Sequence, residues 1–173
     1  MLGVTPCEHP AESLLRACEA QGAYADCYYL DINGQFSLPE LITAFYTTGS
    51  FKLERLILRL VLGRRSSDRE AAQLGRGEAE SFAIWKVENR APNQILLKEF
   101  TGRTKSWLMV AASETSSRST TRLFFGSAVI PKRHAGSNSK GIGGAFHSLL
   151  WFHKLYSRIL LASAGTKLTR SRQ

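Results

Sequence analysis

The sequence is poor in the residues that build covalent or metal-held frameworks. Only three of its 173 residues are cysteine, and Cys7, Cys18 and Cys27 all lie at its start. They include no C-x-x-C pair, which excludes the common spacing of structural zinc and thioredoxin-like redox motifs. So small and odd a count argues against a disulfide scaffold and fits a reducing compartment. Cys7-Glu8-His9 is at most half of a metal site, and the other half is missing. Neither a metal nor a cofactor is expected. Acidic residues are scarce as well: 14 Asp and Glu face 23 Lys and Arg, a formal charge of +9. Long apolar runs are absent. The nearest, Ile142 to Ala162, is interrupted by His147, His153, Lys154 and Arg158, short of the roughly 18–20 apolar residues that a bilayer span needs. Met1 to Pro10 has no basic stretch followed by an apolar one, so no secretory signal is read, and the expectation is a cytoplasmic, soluble protein.

What is there is ordinary globular material, 43% apolar and 21% charged, which excludes wholesale disorder and collagen-like structure. Residues 1–22 read as an N-terminal extension with a short helix carrying Leu14, Leu15 and Cys18. Tyr24 to Ile32 reads as a first strand closed by Asn33-Gly34. Ser37 and Glu40 form a capping box ahead of Leu41, Ile42, Phe45 and Tyr46. Phe51 to Leu62 is a second helix, with Lys52, Arg55 and Arg59 on one stripe and Arg64 and Arg65 just beyond. Ser66 to Gly77 reads as a loop or frayed helix.

The period then changes. Phe82 to Glu88, Ile95 to Thr101, Ser106 to Ala112 and Thr120 to Ile130 read as strands. Their short connections imply an antiparallel meander, because parallel neighbours need crossovers of a dozen or more residues. That makes five strands; a sheet of six or seven would mean that two are fused, within Thr120 to Ile130, and otherwise the sheet is shorter and any cavity smaller. A flexible basic linker leads to a long helix over Ile142 to Ser163, followed by a basic flexible tail at 165–173.

Strand, two helices, meander and long terminal helix is an α+β order. It resembles the helix-grip fold, a curved antiparallel sheet wrapped around a long C-terminal helix. This is the fold of the SRPBCC superfamily, which includes START lipid-transfer domains, birch-pollen-allergen-like proteins and polyketide cyclases. Tyr24-Ala25-Asp26-Cys27-Tyr28, the LPELITAFY and FKLERLILRL helices and Phe152-His153-Lys154-Leu155-Tyr156 are similar to a bacterial family of that superfamily catalogued as a domain of unknown function. The resemblance implies one domain over residues 23–164.

Candidate functional residues follow from these elements. A wide apolar arc on the terminal helix, facing apolar strands, means either a pocket or a filled core. The pocket-lining candidates are Trp85, Trp107, Phe125, Phe146, Leu149 and Phe152. His153 is the weak candidate for acid/base work, with no acidic neighbour in sequence to orient it. Phe125-Gly126-Ser127-Ala128 lacks the second glycine of a nucleophile elbow. Glu99 is read as a hairpin-end ion pair with Arg103, and Asp26 and Asp31 as residues on opposite strand faces. The leading expectation is therefore binding or carriage of a small apolar or amphipathic ligand without catalysis. The alternatives are a cyclase- or hydrolase-like enzyme in the same cavity, or an interaction module for anionic membrane or nucleic acid. For that last role Lys52, Arg55, Arg59, Arg64 and Arg65 supply charge, but no specific nucleic-acid motif is present.

Overall fold

The computed structural model describes residues 3–49, 51, 66–113, 119–130 and 143–172, and for residues 143–152 it describes the backbone alone. The elements in chain order are β1 (Thr5–Pro6), α1 (Arg16–Glu19), β2 (Tyr24–Asn33), α2 (Leu38–Tyr46), α3 (Asp68–Arg76), β3 (Ser81–Phe82), β4 (Trp85–Ala91), β5 (Gln94–Glu99), β6 (Thr104–Ala112), β7 (Thr120–Val129) and α4 (Gly143–Arg170). Among the described residues seven strands form one antiparallel sheet in the order β1-β2-β7-β6-β5-β4-β3. The α+β class and the meander are as the sequence implies.

The two extra strands are β1 and β3, two residues each. The fused pair lies not in Thr120–Val129, which is one continuous strand, but in the stretch beginning at Phe82. Ala83, at φ 54°, turns the chain there between β3 and β4.

Helix starts follow their caps. Ser37 and Glu40 close the expected capping box on α2, with Pro39 in its first turn. A second capping box, Ser67 with Glu70, starts α3, and Gly77 ends it in the left-handed conformation. The segment read as a loop or frayed helix is thus a capped helix. Its polarity hid it, since it buries only Ala71, Leu74 and Gly75. The helix read over Phe51 to Leu62 falls mostly outside the described residues, as do Lys52, Arg55, Arg59, Arg64 and Arg65.

Helix α4 runs on to Arg170, so most of the stretch read as a flexible tail is helical. Leu168 is buried with Leu160, Leu161 and Ala164 in the main core, and this burial explains the extension. Two of the three basic residues there are engaged too. Lys167 Nζ donates to the Thr47 carbonyl at 3.0 Å, and Arg172 pairs with Glu40 at 3.0 Å. The apolar arc of α4 is wider than the surface it covers, which leaves Leu155 and Ile159 exposed. Among the described residues no helix is long and apolar enough to cross a membrane.

The sheet is covered on both faces. One face carries Tyr28, Leu30, Ile32, Ile95, Leu97, Leu108, Leu123 and Phe125 against α2 and α4. The other carries Cys27, Leu96, Trp107, Met109 and Phe124 against Leu15 and Cys18 of the N-terminal segment. That segment is more than an extension. It pairs in the sheet through β1 and supplies half of a second core.

Glu99 ends β5 differently from the ion pair read in the sequence. Its carboxylate accepts from the Thr101 hydroxyl and from the amides of Thr101 at 2.6 Å and Arg103 at 3.1 Å. Burial pushes this carboxyl up, but those hydrogen bonds outweigh it and hold it below the usual glutamate range. A depressed folded value means the contribution to stability is full above the ordinary glutamate range and is lost as pH falls through the folded value. Glu99→Gln is therefore expected to lower stability at neutral pH and to flatten the acid limb of a urea-midpoint titration. An unchanged acid limb in the variant would refute this.

Candidate functional site

Strand pairing sets three polar side chains in a row on the helix-covered face. Asp26 of β2 pairs with Ser127 of β7, which pairs with Ser106 of β6. Alternation along β2 sends Asp31 to the opposite face, as expected, where both its oxygens hold Arg122 at 2.7 Å. Above the row, α4 brings in His153. The Ser127 Oγ lies 2.6 Å from Asp26 Oδ1 and 2.6 Å from His153 Nε2, and the Ser127 amide donates to Asp26 Oδ1 at 3.2 Å. The second carboxylate oxygen, Asp26 Oδ2, is buried without a hydrogen-bond partner among the described residues, 3.7 Å from His153 Nε2.

Hydrogen-bond capacity sets the direction of this chain. An ionised carboxylate only accepts, and a serine hydroxyl has one proton. With Asp26 ionised, Ser127 donates to Asp26 and accepts from His153, which places a proton on Nε2. This is not the arrangement of a serine hydrolase. There the imidazole takes the serine proton and the carboxylate sits on the far ring nitrogen. Here the carboxylate holds the serine directly, and Ser127 is only 4% exposed in mid-strand. Burial and the neighbouring Asp26 charge push the Tyr28 phenol up to about 12, so it stays protonated near neutral pH.

A cavity of about 190 Å³ opens beside this cluster between sheet, α2 and α4. Phe45, Phe51, Trp85, Phe125, Tyr156 and Leu160 form its apolar wall, and Ser106, Ser127 and His153 line its polar end. Tyr46 Oη lies 3.4 Å from Ser106 Oγ, and Ser157 spends its hydroxyl proton on the His153 carbonyl. The Trp85 indole Nε1 is buried and has no hydrogen-bond partner among the described residues. Among the described residues no three His, Cys, Asp or Glu side chains gather as metal ligands.

Of the pocket-lining candidates, Trp85 and Phe125 line this cavity, as does His153. Trp107 does not. Leu108 and Ser106 take the cavity face of β6, so Trp107 turns to the other face and is fully buried under the N-terminal segment. The side chains of Phe146, Leu149 and Phe152 lie outside the described residues. Sequence reading missed Asp26 and Ser127 as partners of His153, because 101 residues separate the first two. The available signal was parity: Asp26 shares its strand face with the apolar Tyr28, Leu30 and Ile32, an acidic residue on a core face.

No family model matches the chain, and no curated protein matches it. Among solved structures, CalU16 from Micromonospora echinospora is 10% identical to it over 100% of this chain and 98% of that one, at a TM-score of 0.30. A likeness of that size assigns neither family nor function.

Proposed function

We propose that this chain is a helix-grip protein of the SRPBCC type that binds a small apolar or amphipathic molecule between its sheet and α4. The observation that carries this is the cavity of about 190 Å³ whose apolar wall ends at His153 and Ser127, the pair that joins it to Asp26. Buried polar groups in native proteins nearly always have partners, so the Trp85 N–H, on a residue that lines the cavity, asks for one. Size narrows the ligand. An engineered cavity of about 150 Å³ takes benzene, so this one suits a single ring or a short chain rather than a long acyl chain.

Calorimetric titration with 4-methylphenol, toluene and palmitate tests the reading. The phenol and toluene are expected to bind and palmitate to fail. The phenol should lead by up to about tenfold, the worth of one hydrogen bond. His153→Leu should erase that lead while toluene still binds. No binding of either ring compound to folded protein would overturn the proposal. An enzyme using His153 in the same cavity is the second reading, favoured by the hydrogen-bond chain alone. Chemical conversion of a bound compound, lost in His153→Leu, would select it.

A further inference from the structure

Cys7 follows directly on β1 and faces Cys27 of β2. The β1–β2 register pairs Thr5 with Tyr29 and Pro6 with Tyr28, and the Cys7 amide donates to the Cys27 carbonyl at 3.0 Å. Both side chains lie on the face covered by the N-terminal segment, and their sulfurs are 3.2 Å apart. A disulfide needs about 2.05 Å between sulfurs, so the two stand roughly one ångström short of bonding distance with the backbones already paired. Cys7 is half-buried and Cys27 fully so, which makes Cys7 the more accessible residue of the pair.

We propose that Cys7 and Cys27 form an oxidation site that takes hydrogen peroxide as substrate and closes to an intramolecular disulfide. The Cys7 thiolate attacks the peroxide oxygen, the O–O bond breaks, and hydroxide leaves with Cys7 as sulfenic acid. The Cys27 sulfur then attacks the Cys7 sulfur. The S–O bond breaks, the Cys27 proton and the departing hydroxyl leave as water, and the disulfide remains. Two thiols and one peroxide thus become one disulfide and two waters, the peroxide being the oxidant.

The surroundings favour this order of events. The hydrogen bond with Cys27 holds the Cys7 thiol below the ordinary cysteine value against the opposing effect of burial, and the Arg122 guanidinium helps. The same bond and its own burial push Cys27 up, so Cys7 is the first of the two to ionise and to meet the peroxide. Cys18 serves as the internal control. It is buried in the same core, burial pushes its thiol up, and it is a free thiol outside the pair. The site does not depend on the cavity, which lies on the other face of the sheet.

The test uses the full chain. Folded, reduced protein is treated with a small excess of hydrogen peroxide, alkylated, weighed intact and mapped by peptide mass. The expected product is monomeric, lighter by two hydrogens, cross-linked between Cys7 and Cys27, alkylated at Cys18 and restored by dithiothreitol. Free thiols should fall from three to one. Cys27→Ser should leave a sulfenic acid at Cys7 that dimedone traps, and Cys7→Ser should oxidise at least about tenfold more slowly. A cross-link that includes Cys18, a cross-link between chains, three persisting thiols, or Cys7→Ser oxidising at the original rate would each overturn the assignment. Mapping of the unmutated chain decides the question even where a serine variant fails to fold.

Discussion

Trp107→Ala is expected to cost about 3–5 kcal/mol of stability and to leave ring-compound binding in the cavity intact. Trp107 is fully buried, and its indole N–H donates to Gln94 Oε1 at 2.8 Å. That oxygen also accepts the Leu14 amide at 2.9 Å, while Gln94 Nε2 donates to the Glu12 carbonyl at 2.9 Å. The ring meets Phe124 at 6.0 Å between centroids and His9 at 6.2 Å. Truncation thus opens a large hole and loosens the amide that pins residues 12–14 to the sheet. Urea unfolding should show the loss, and hydrogen exchange should rise over residues 7–19. Trp107→Phe keeps most of the volume and loses only the N–H, a cost of about 1 kcal/mol on that score. The binding readout separates the two faces. If folded Trp107→Ala loses toluene binding, the indole belongs to the cavity and the assignment of faces is wrong.

That assignment was not legible in the sequence, for a physical reason. Alternation reveals which side of a strand is buried only when the other side is wet. In β6 the run Ser106-Trp107-Leu108-Met109 is buried on both sides, because the N-terminal segment covers one face and α2 and α4 the other. Nothing within the run says which parity meets which cover. Where local chemistry suffices, the reading held: the Ser37–Glu40 box starts α2, the hairpin connections make the meander, and Asn33-Gly34 ends β2. Where the determinant is a distant contact, it failed. Strand β1 is two residues long and exists only against β2. Helix α3 is amphipathic on a polar background, and its Ser67–Glu70 box repeats the signal already used at Ser37. The polar cluster unites residues 26, 127 and 153, which three separate elements carry. No local pattern joins them.

Gly126 ties the two faces together and carries the other large expected effect. It lies between Phe125 and Ser127, which both line the cavity, and by alternation points to the opposite face. There it pairs with Cys27 on one side and Trp107 on the other. A Cβ at this position would sit 2.8 Å from the Asp26 carbonyl oxygen, and 3.0 Å from both Leu15 Cδ2 and Trp107 Cε3. Leu15 can rotate, but the carbonyl belongs to the paired strand and moves only if β2 moves. Ordinarily Gly→Ala at a compatible site stabilises by about 0.4–1 kcal/mol, because it narrows the unfolded ensemble. Here the sign should reverse, to a loss of about 1–3 kcal/mol from overpacking. Gly49 supplies the comparison: a Cβ there meets nothing within 4 Å among the described residues, so Gly49→Ala should be neutral or mildly stabilising. The strain at Gly126→Ala falls on β2 at Asp26, one residue from the Cys7–Cys27 contact and directly across from Ser127. The phenol's lead over toluene should therefore shrink along with the urea midpoint. Equal midpoints for Gly126→Ala and Gly49→Ala would show that the sheet yields freely here, and that the glycine holds neither Trp107 nor Asp26 in place.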